Sequence, residues 1–311
     1  MTQMLETPPT PEPPGGPSDF ELGLESAERP RSALARSWEV FAENKLALIA
    51  LIFLIVAALF AFLGPVFYHS DTTVANILEF TQPPGSGHPL GTDQQGFDEL
   101  GELMRGTQAS FEVGLAAGLI AAFVGAVYGA ISGYVGGWLD ALLMRIIDAL
   151  MSFPFLFILI LLGTILGKNK TAMILEIGFA SWFGITRLVR GESLAIKVRD
   201  YVAASRMMGG RGAHIVYKHI LPNTIGTSIV NTTFSIADAI FYLSTLSFIG
   251  LGLPPTQPDL GALVNEGTQN ADAGYWWMIY PAAVLIILLI MSFNIIGDAL
   301  RDAVETRLQK R

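Results

Sequence analysis

Residues 200–223 read DYVAASRMMGGRGAHIVYKHILPN and lie between two apolar stretches, each long enough to cross a membrane. No other long polar segment interrupts the apolar half of the chain. Residues 201–208 are predicted to form a short helix, which the following glycines end. Residues 213–220 are predicted to form a second helix before Pro222 begins the next span. The stretch therefore predicts two short helices, joined by a glycine turn, on the face of a membrane.

The two predicted helices differ in the faces that they present. The second has its apolar side chains on one side, which suits packing against neighbouring membrane helices. The first presents three small side chains that let a partner approach the backbone closely, namely Ala203, Ala204 and Ser205. Arg206 adds a charged group beside them. This combination predicts a docking surface for a partner protein.

The composition of the 311-residue chain is that of an integral membrane protein. Hydrophobic residues make up 51% and the mean hydropathy is +0.49. Charged residues make up 15%, against about 25% in soluble proteins. Apolar stretches of about 20 residues predict membrane helices, and they occur over 46–67, 111–134, 149–167, 171–189, 225–251 and 276–297. The predicted fold class is an all-α integral membrane protein with six transmembrane helices.

The distribution of basic residues predicts the orientation of these helices. Lysine and arginine collect on the cytoplasmic side of membrane proteins. Of the 19 in this chain, all but Arg105, Lys168 and Lys170 fall in segments on the same side as the N-terminus. Both termini are therefore predicted to be cytoplasmic.

The remaining segments divide the chain into predicted regions. Residues 1–31 are rich in proline and acidic residues, which predicts a disordered cytoplasmic tail. Residues 32–45 have the amphipathic pattern of a helix at the membrane interface, and 68–110 are predicted to be an external loop. The core transmembrane domain is predicted over 111–298, followed by a cytoplasmic tail over 299–311. The absence of cysteine excludes disulfides and thiol chemistry.

The stretch at 200–223 resembles the cytoplasmic coupling loop of binding-protein-dependent ABC importer permeases. The residues that match are Ala203, Ala204, Ser205, Gly209, Ile220, Leu221 and Pro222. Members of this family usually have glutamate at the position of Ala203, so an ion pair made by that glutamate is absent or replaced here. The resemblance implies that these residues, with Arg206, contact an ATPase subunit.

Three further stretches resemble the C-type permease subunit of oligopeptide and dipeptide importers. They are HPLGTDQQGFD at 88–98, where Phe97 replaces an arginine of the family pattern, GYVGG at 133–137 and FNIIGDALRD at 293–302. The resemblance implies a type I ABC importer permease of the bacterial or archaeal inner membrane. Its implied partners are a homologous permease, two ATPase subunits and an extracytoplasmic peptide-binding protein. Nucleic acid is not among them.

No motif predicts that this chain is itself an enzyme. The segment GTILGK at 163–168 has the wrong spacing for a P-loop, and no histidine pattern indicates a metal site. The resemblance accordingly implies that ATP and Mg²⁺ are bound by the ATPase partners and that this chain binds no cofactor. Two alternatives stay open, a permease for nickel or another small solute and an ATP-independent secondary transporter or channel.

Asp238 and Glu176 are acidic residues within predicted spans. Asp238 lies near the centre of the fifth span with Tyr242 one turn away, and an ionisable residue there either lines a wetted path or is neutralised by a neighbour. Both interpretations stay open, with Asp238 and Tyr242 as the candidate path residues. Glu176 lies near the external end of the fourth span, where solvation at the interface is the favoured interpretation.

Small residues repeat every four positions in the second span. Gly125, Gly129 and Gly133 form one line along the predicted helix, a spacing that lets helices pack backbone to backbone in a membrane. Packing within one bundle is favoured over an interface between subunits.

Overall fold

The computed structural model describes residues 33–70, 79–85 and 87–309. The tail predicted over 1–31 lies outside this part of the chain. The helices are α1 (Ala33–Glu43), α2 (Lys45–Phe67), α3 (Glu99–Val135), α4 (Gly137–Met151), α5 (Phe155–Leu166), α6 (Lys170–Ala180), α7 (Phe183–Lys197), α8 (Asp200–Met207), α9 (Gly212–Ile215), α10 (Leu221–Phe248), α11 (Leu260–Gln269) and α12 (Tyr280–Gln309). A π-helical turn over Val216–Ile220 joins α9 to α10.

Four continuous helical segments of the described chain are long and apolar enough to cross a membrane. They are Lys45–Phe67, Glu99–Val135, Gly212–Phe248 and Trp276–Val304. Two bent helix pairs also qualify when each pair is counted as one span, which brings the total to 6. The predicted helical membrane bundle is confirmed, and the predicted count of six depends on these broken spans.

Helix α3 lies at the centre of the bundle and packs against α2, α6, α7 and α10. The contact with α7 depends on the glycine line. A Cβ atom added at Gly125 would lie 2.8 Å from Ile185 Cβ, and one at Gly129 would lie 2.5 Å from the Thr186 carbonyl oxygen. These distances are too short for any side chain, so glycine sets the separation of the two helices. The interpretation of the line as packing within one bundle is confirmed.

The third and fourth predicted spans are broken helices. Helices α4 and α5 meet at 89° around Pro154, which caps the start of α5. Proline has no backbone N–H and disfavours helical geometry in the residue before it, so the chain turns there. Helices α6 and α7 meet at 41°. The sequence predicts a kink at Pro154, and the structure has a complete break.

Several predicted boundaries differ from the helix ends. Helix α3 begins at Glu99, so the end of the segment predicted as the external loop 68–110 is helical. Asp98 starts this helix by accepting a hydrogen bond from the Gly101 N–H at 2.8 Å. Helix α12 continues to Gln309 through the segment predicted as the tail 299–311. The helix predicted at 32–45 is present as α1.

Candidate coupling loop and membrane site

The first half of the loop is helix α8, which exposes the small residues that the sequence singles out. Ala203 and Ala204 are exposed, while Ser205 is buried against the bundle. Beside the alanines, Met207 and Met208 are 89% and 82% exposed. Flexible methionine side chains on an open surface are typical of a contact site for another protein.

Gly209 ends helix α8 by adopting a left-handed backbone conformation with φ of 87°. Its N–H donates to the Arg206 carbonyl oxygen at 2.9 Å, and the Gly210 N–H donates to the Ser205 carbonyl oxygen at 2.9 Å. This pair of bonds is the Schellman arrangement, in which glycine is preferred at the left-handed position. No atom lies within 4 Å of a Cβ added at Gly209. Conformation, and not lack of space, is therefore the reason for glycine here.

The second half of the loop packs onto the bundle and continues into a membrane helix. Ile215 and Ile220 are fully buried, and Leu221 packs against the same cluster. Pro222 is the second residue of α10, directly after the π-helical turn, and it has no N–H to donate to the preceding turn. The π-helical turn makes α9 and α10 one continuous helix, so the second predicted helix is the start of a span.

A hydrogen bond joins the two halves of the loop. His219 Nε2 lies 3.2 Å from Ser205 Oγ. His219 is half-buried. Ser205 thus contacts the second half of the loop, whereas Ala203 and Ala204 stay open.

A partly buried ion pair joins α4 to α7. Arg190 donates to both carboxylate oxygens of Asp140, at 2.6 Å from Nε and 2.7 Å from a terminal nitrogen. Ser132 Oγ donates to the same carboxylate at 2.5 Å. A two-pronged guanidinium contact of this kind fixes both position and orientation. It ties α3, α4 and α7 together close to the turn between α3 and α4.

The two candidate path residues lie on α10. Asp238 is exposed on the surface of the bundle, and its carboxylate has no hydrogen bond or ion pair within the described part of the chain. Tyr242 is half-buried one turn away, and its ring centroid lies 4.4 Å from that of Phe155. The neighbouring helices therefore supply no hydrogen-bond partner for Asp238.

Glu176 is buried in the bundle, and the interpretation that solvent at the interface hydrates it is wrong. Its side chain is on α6 and the residue is 1% exposed. Neither carboxylate oxygen has a hydrogen-bond partner among the described residues. The carboxylate lies beside Gly163 of α5, where an added Cβ would be 3.3 Å from Oε2. The break between α6 and α7 folds this part of the span inward.

The external loop before α3 is held by carboxylates. Asp98 accepts from Tyr68 Oη at 2.9 Å and lies 2.7 Å from His88 Nδ1. Burial and the bond to Asp98 raise the pKa of Tyr68 to about 12. The Oδ1 atom of Asp93 accepts from the N–H groups of Gln95 and Phe97, yet burial is the larger influence and raises the pKa of Asp93. His88 is therefore a structural partner of Asp98.

Asp93, Glu102 and Glu266 line an outward-open cavity of about 440 Å³ at this end of the molecule. Among the residues that the structure describes, no group of three histidine, aspartate or glutamate side chains is arranged to hold a metal ion.

The arrangement defines a multi-pass helical membrane protein with an exposed loop between two of its spans. The chain belongs to the family described as binding-protein-dependent transport system inner membrane component, whose sequence profile matches residues 114–310. Residues 32–84 match a second profile, described as the N-terminal TM domain of oligopeptide transport permease C. The resemblance found in the sequence is confirmed, and the chain is a multi-pass inner-membrane permease component.

Two curated relatives cover most of the chain. It is 35% identical over 287 residues to the dipeptide transport system permease protein DppC of Bacillus subtilis (strain 168), which covers 92% of this chain and 90% of that protein. It is 39% identical over 270 residues to the oligopeptide transport system permease protein OppC of Escherichia coli (strain K12), with 86% and 89% covered.

A solved structure has the same fold. The chain resembles a chain of the MetNI methionine ABC transporter in an inward-facing conformation, with a TM-score of 0.53 and 20% identity. The match covers 65% of this chain and 96% of that one. The predicted fold class, the helical bundle of an ABC importer permease, is confirmed.

Proposed function

We propose that this chain is the permease subunit of an ATP-driven importer of dipeptides or oligopeptides. The observation that carries the proposal is the loop at 200–223, which exposes a small-residue helix and is continuous with a membrane helix. Peptide cargo is supported by relatives that are named as dipeptide and oligopeptide permeases and match most of the chain. The chain supplies a gated path, and the ATPase partners hydrolyse ATP.

The proposed partners follow from this role. A homologous permease completes the translocation path, two ATPase subunits bind ATP and Mg²⁺ on the cytoplasmic side, and an extracytoplasmic binding protein delivers the peptide. Both termini are cytoplasmic in this proposal, as the distribution of lysine and arginine requires. The loop then faces the ATPases, and the cavity lined by Asp93 and Glu102 faces outward.

In the proposed mechanism the loop receives the movement of an ATPase. The exposed face of Ala203 and Ala204 rests in a groove of that subunit, while Gly209 sets the turn and Ser205 holds the second half of the loop. Ile220, Leu221 and Pro222 connect the loop to α10. A displacement of the loop therefore reaches a membrane helix without crossing a flexible linker.

Asp238 and Tyr242 are proposed to line the path between the two permeases. The exposed Asp238 carboxylate has no partner in the described part of the chain, which suits a site that meets water or the second permease. The ammonium group of a peptide is attracted by such a carboxylate, and in a wetted path neither charge is fully desolvated.

Reconstitution tests the proposal. The chain is assembled in proteoliposomes with the permease, ATPase and binding-protein subunits encoded beside it, and uptake of radiolabelled di- and oligopeptides is measured with and without ATP. Uptake of peptides that requires ATP is expected. Uptake of nickel without peptide uptake would contradict the assignment of peptides as the cargo. Peptide uptake without ATPase subunits would contradict the assignment as an ATP-driven importer.

The path assignment has a separate test, which uses the absence of native cysteine. Asp238→Cys is expected to react with a water-soluble thiol reagent. Ile287→Cys, at a 55% exposed apolar position of α12, is the matched control. Asp238→Asn is expected to lower uptake while the complex still assembles, because it removes the charge and keeps the shape. An unreactive cysteine at position 238 in both nucleotide-free and ATP-trapped complexes would rule out the path role.

A further inference from the structure

We infer that Tyr134 is the positioning residue that fixes the coupling loop against helix α3. The inference rests on the proposed function, because it concerns how movement of the loop reaches the bundle. Tyr134 belongs to the GYVGG stretch at 133–137, for which the proposed function gives no role. It lies one residue before the end of α3, directly above the loop.

Two cations from different parts of the chain lie over the ring of Tyr134. The guanidinium carbon of Arg206, in α8, is 5.3 Å from the ring centroid. The ammonium nitrogen of Lys197, the last residue of α7, is 5.8 Å from it. Both distances are within the range of a cation–π contact. One aromatic side chain therefore joins α3, α7 and the first half of the loop.

The second half of the loop touches the same ring. A Cβ atom added at Gly212, the first residue of α9, would lie 3.0 Å from Tyr134 Cε1. The ring also packs against the buried cluster that contains Val202, Ile215 and Ile220. Both halves of the loop thus meet at Tyr134. His219 also joins them, since its Nε2 atom lies 3.2 Å from Ser205 Oγ and its ring centroid lies 5.8 Å from that of Tyr201.

These contacts use the ring of Tyr134 and not its hydroxyl group. The hydroxyl makes no hydrogen bond within the described part of the chain. A tyrosine that served only as a membrane-interface anchor would use its hydroxyl in the headgroup region. Phenylalanine keeps both the face of the ring and its edge, so it is expected to replace Tyr134, whereas leucine keeps only the apolar volume.

The position of α3 explains what the contact does. This helix packs against α2, α6, α7 and α10, so it contacts most of the bundle. Arg206 therefore connects the loop to α3 through the ring of Tyr134, while Ala203 and Ala204 stay exposed. Loss of the ring would leave the outer face intact and let the loop move without moving α3.

The experiment compares three variants in the reconstituted importer by the ratio of peptide transported to ATP hydrolysed. Tyr134→Leu is expected to lower this ratio about fivefold, since two cation–π contacts are lost, and Arg206→Gln about twofold. Tyr134→Phe is expected to retain the wild-type ratio. Tyr280→Leu is the matched control, because Tyr280 is 62% exposed at the opposite face.

A distance measurement reports on position directly. Spin labels are attached to Met207→Cys and Trp138→Cys, at positions that are 89% and 77% exposed. The distance between the labels measures the separation of the loop from the junction of α3 and α4. Tyr134→Leu is expected to broaden the distance distribution, and Tyr134→Phe to leave it narrow.

Two results would overturn the inference. One is a wild-type ratio and a narrow distribution in Tyr134→Leu, and the other is an equal loss in Tyr134→Phe and Tyr134→Leu, which would assign the effect to the hydroxyl. The proposed function fails in a different way, since the wild-type importer itself would then transport no peptide on addition of ATP.

Discussion

In the proposed topology, the loop over 79–98 lies on the external face and the loop over 200–211 on the cytoplasmic face. The first is held by buried side-chain hydrogen bonds, whereas the second is held by few. On the external side, Thr92, Asp93 and Asp98 are 0%, 1% and 4% exposed. On the cytoplasmic side, Met207 and Met208 are almost fully exposed.

The difference separates two ways of preparing a surface for a partner. Buried carboxylates that accept several hydrogen bonds fix the external loop before any partner arrives, because an unmatched buried donor is costly. The cytoplasmic loop keeps a regular helix and a defined turn but leaves its apolar side chains open, so a partner supplies the contacts that would bury them. Stability is therefore expected to depend strongly on the first loop and weakly on the second.

The largest expected effect on stability is that of Asp98→Ala. It removes the acceptor of the Gly101 N–H and of the Tyr68 hydroxyl, and it removes the 2.7 Å contact with His88 Nδ1. We expect a loss of about 3 kcal/mol, since buried groups lose their hydrogen bonds. Thermal unfolding in detergent measures it. Asp272→Ala, at an exposed external position, is the control and should unfold at the wild-type temperature. An equal midpoint of thermal unfolding for both variants would contradict the expectation that stability depends strongly on the external loop.

Gly129→Ala, in the helix bundle, is expected to have an intermediate effect on stability. The added methyl group would lie 2.5 Å from the Thr186 carbonyl oxygen, so α3 and α7 must separate. We expect a loss of about 2 kcal/mol, as in other overpacked interfaces. Gly184→Ala is the matched control on α7, because nothing lies within 4 Å of its added Cβ. The same unfolding assay distinguishes them, and an unchanged midpoint in Gly129→Ala would contradict the close helix contact.

A smaller effect is expected from Gly209→Ala in the cytoplasmic loop. A side chain at φ of 87° is strained by about 1–2 kcal/mol, but the strain is confined to a loop with few other contacts. We expect the unfolding midpoint to change little and the ATPase subunits to co-purify less well. Gly191→Ala, in the open and regular part of α7, serves as control. Full retention of the ATPases by Gly209→Ala would argue against a role for the turn.

The smallest expected effect on stability is that of Ala204→Glu. Its side chain is exposed on α8, and exposed substitutions typically change stability by less than about 0.5 kcal/mol. Peptide uptake, in contrast, should be lost, because the added charge lies on the face that is proposed to meet the ATPase. Ala271→Glu places the same charge at an exposed position on the external face. Normal peptide uptake by Ala204→Glu would contradict the proposed contact between this face and the ATPase.

Periodicity and composition were sufficient to predict the helical bundle, the glycine contact and the turn at Gly209. Each depends on local chemistry, since apolar length predicts a span, small residues four apart predict a close contact, and glycine predicts a left-handed residue. The sequence also placed Asp238 and Tyr242 one turn apart. It could not say which neighbouring helix would face them.

The interpretation of Glu176 was wrong because depth along a span does not determine the surroundings of a side chain. The Glu176 carboxylate lies beside Gly163 of α5, and this contact depends on packing between helices. The partner of Asp140 was missed for a similar reason. Arg190 is 50 positions away in the sequence, and no local pattern links the two residues.

The continuous helix from Gly212 to Phe248 gives the loop a torsional connection to the middle of the membrane. At 1.5 Å per residue, the axis rises roughly 27 Å between Ile220 and Asp238. A stiff rod transmits rotation about its own axis over that length without sliding. With the Asp238 carboxylate at a radius of roughly 6 Å, a twist of about 20° would move it by about 2 Å. Such a twist would change the direction in which the carboxylate points while its depth in the bilayer stays the same.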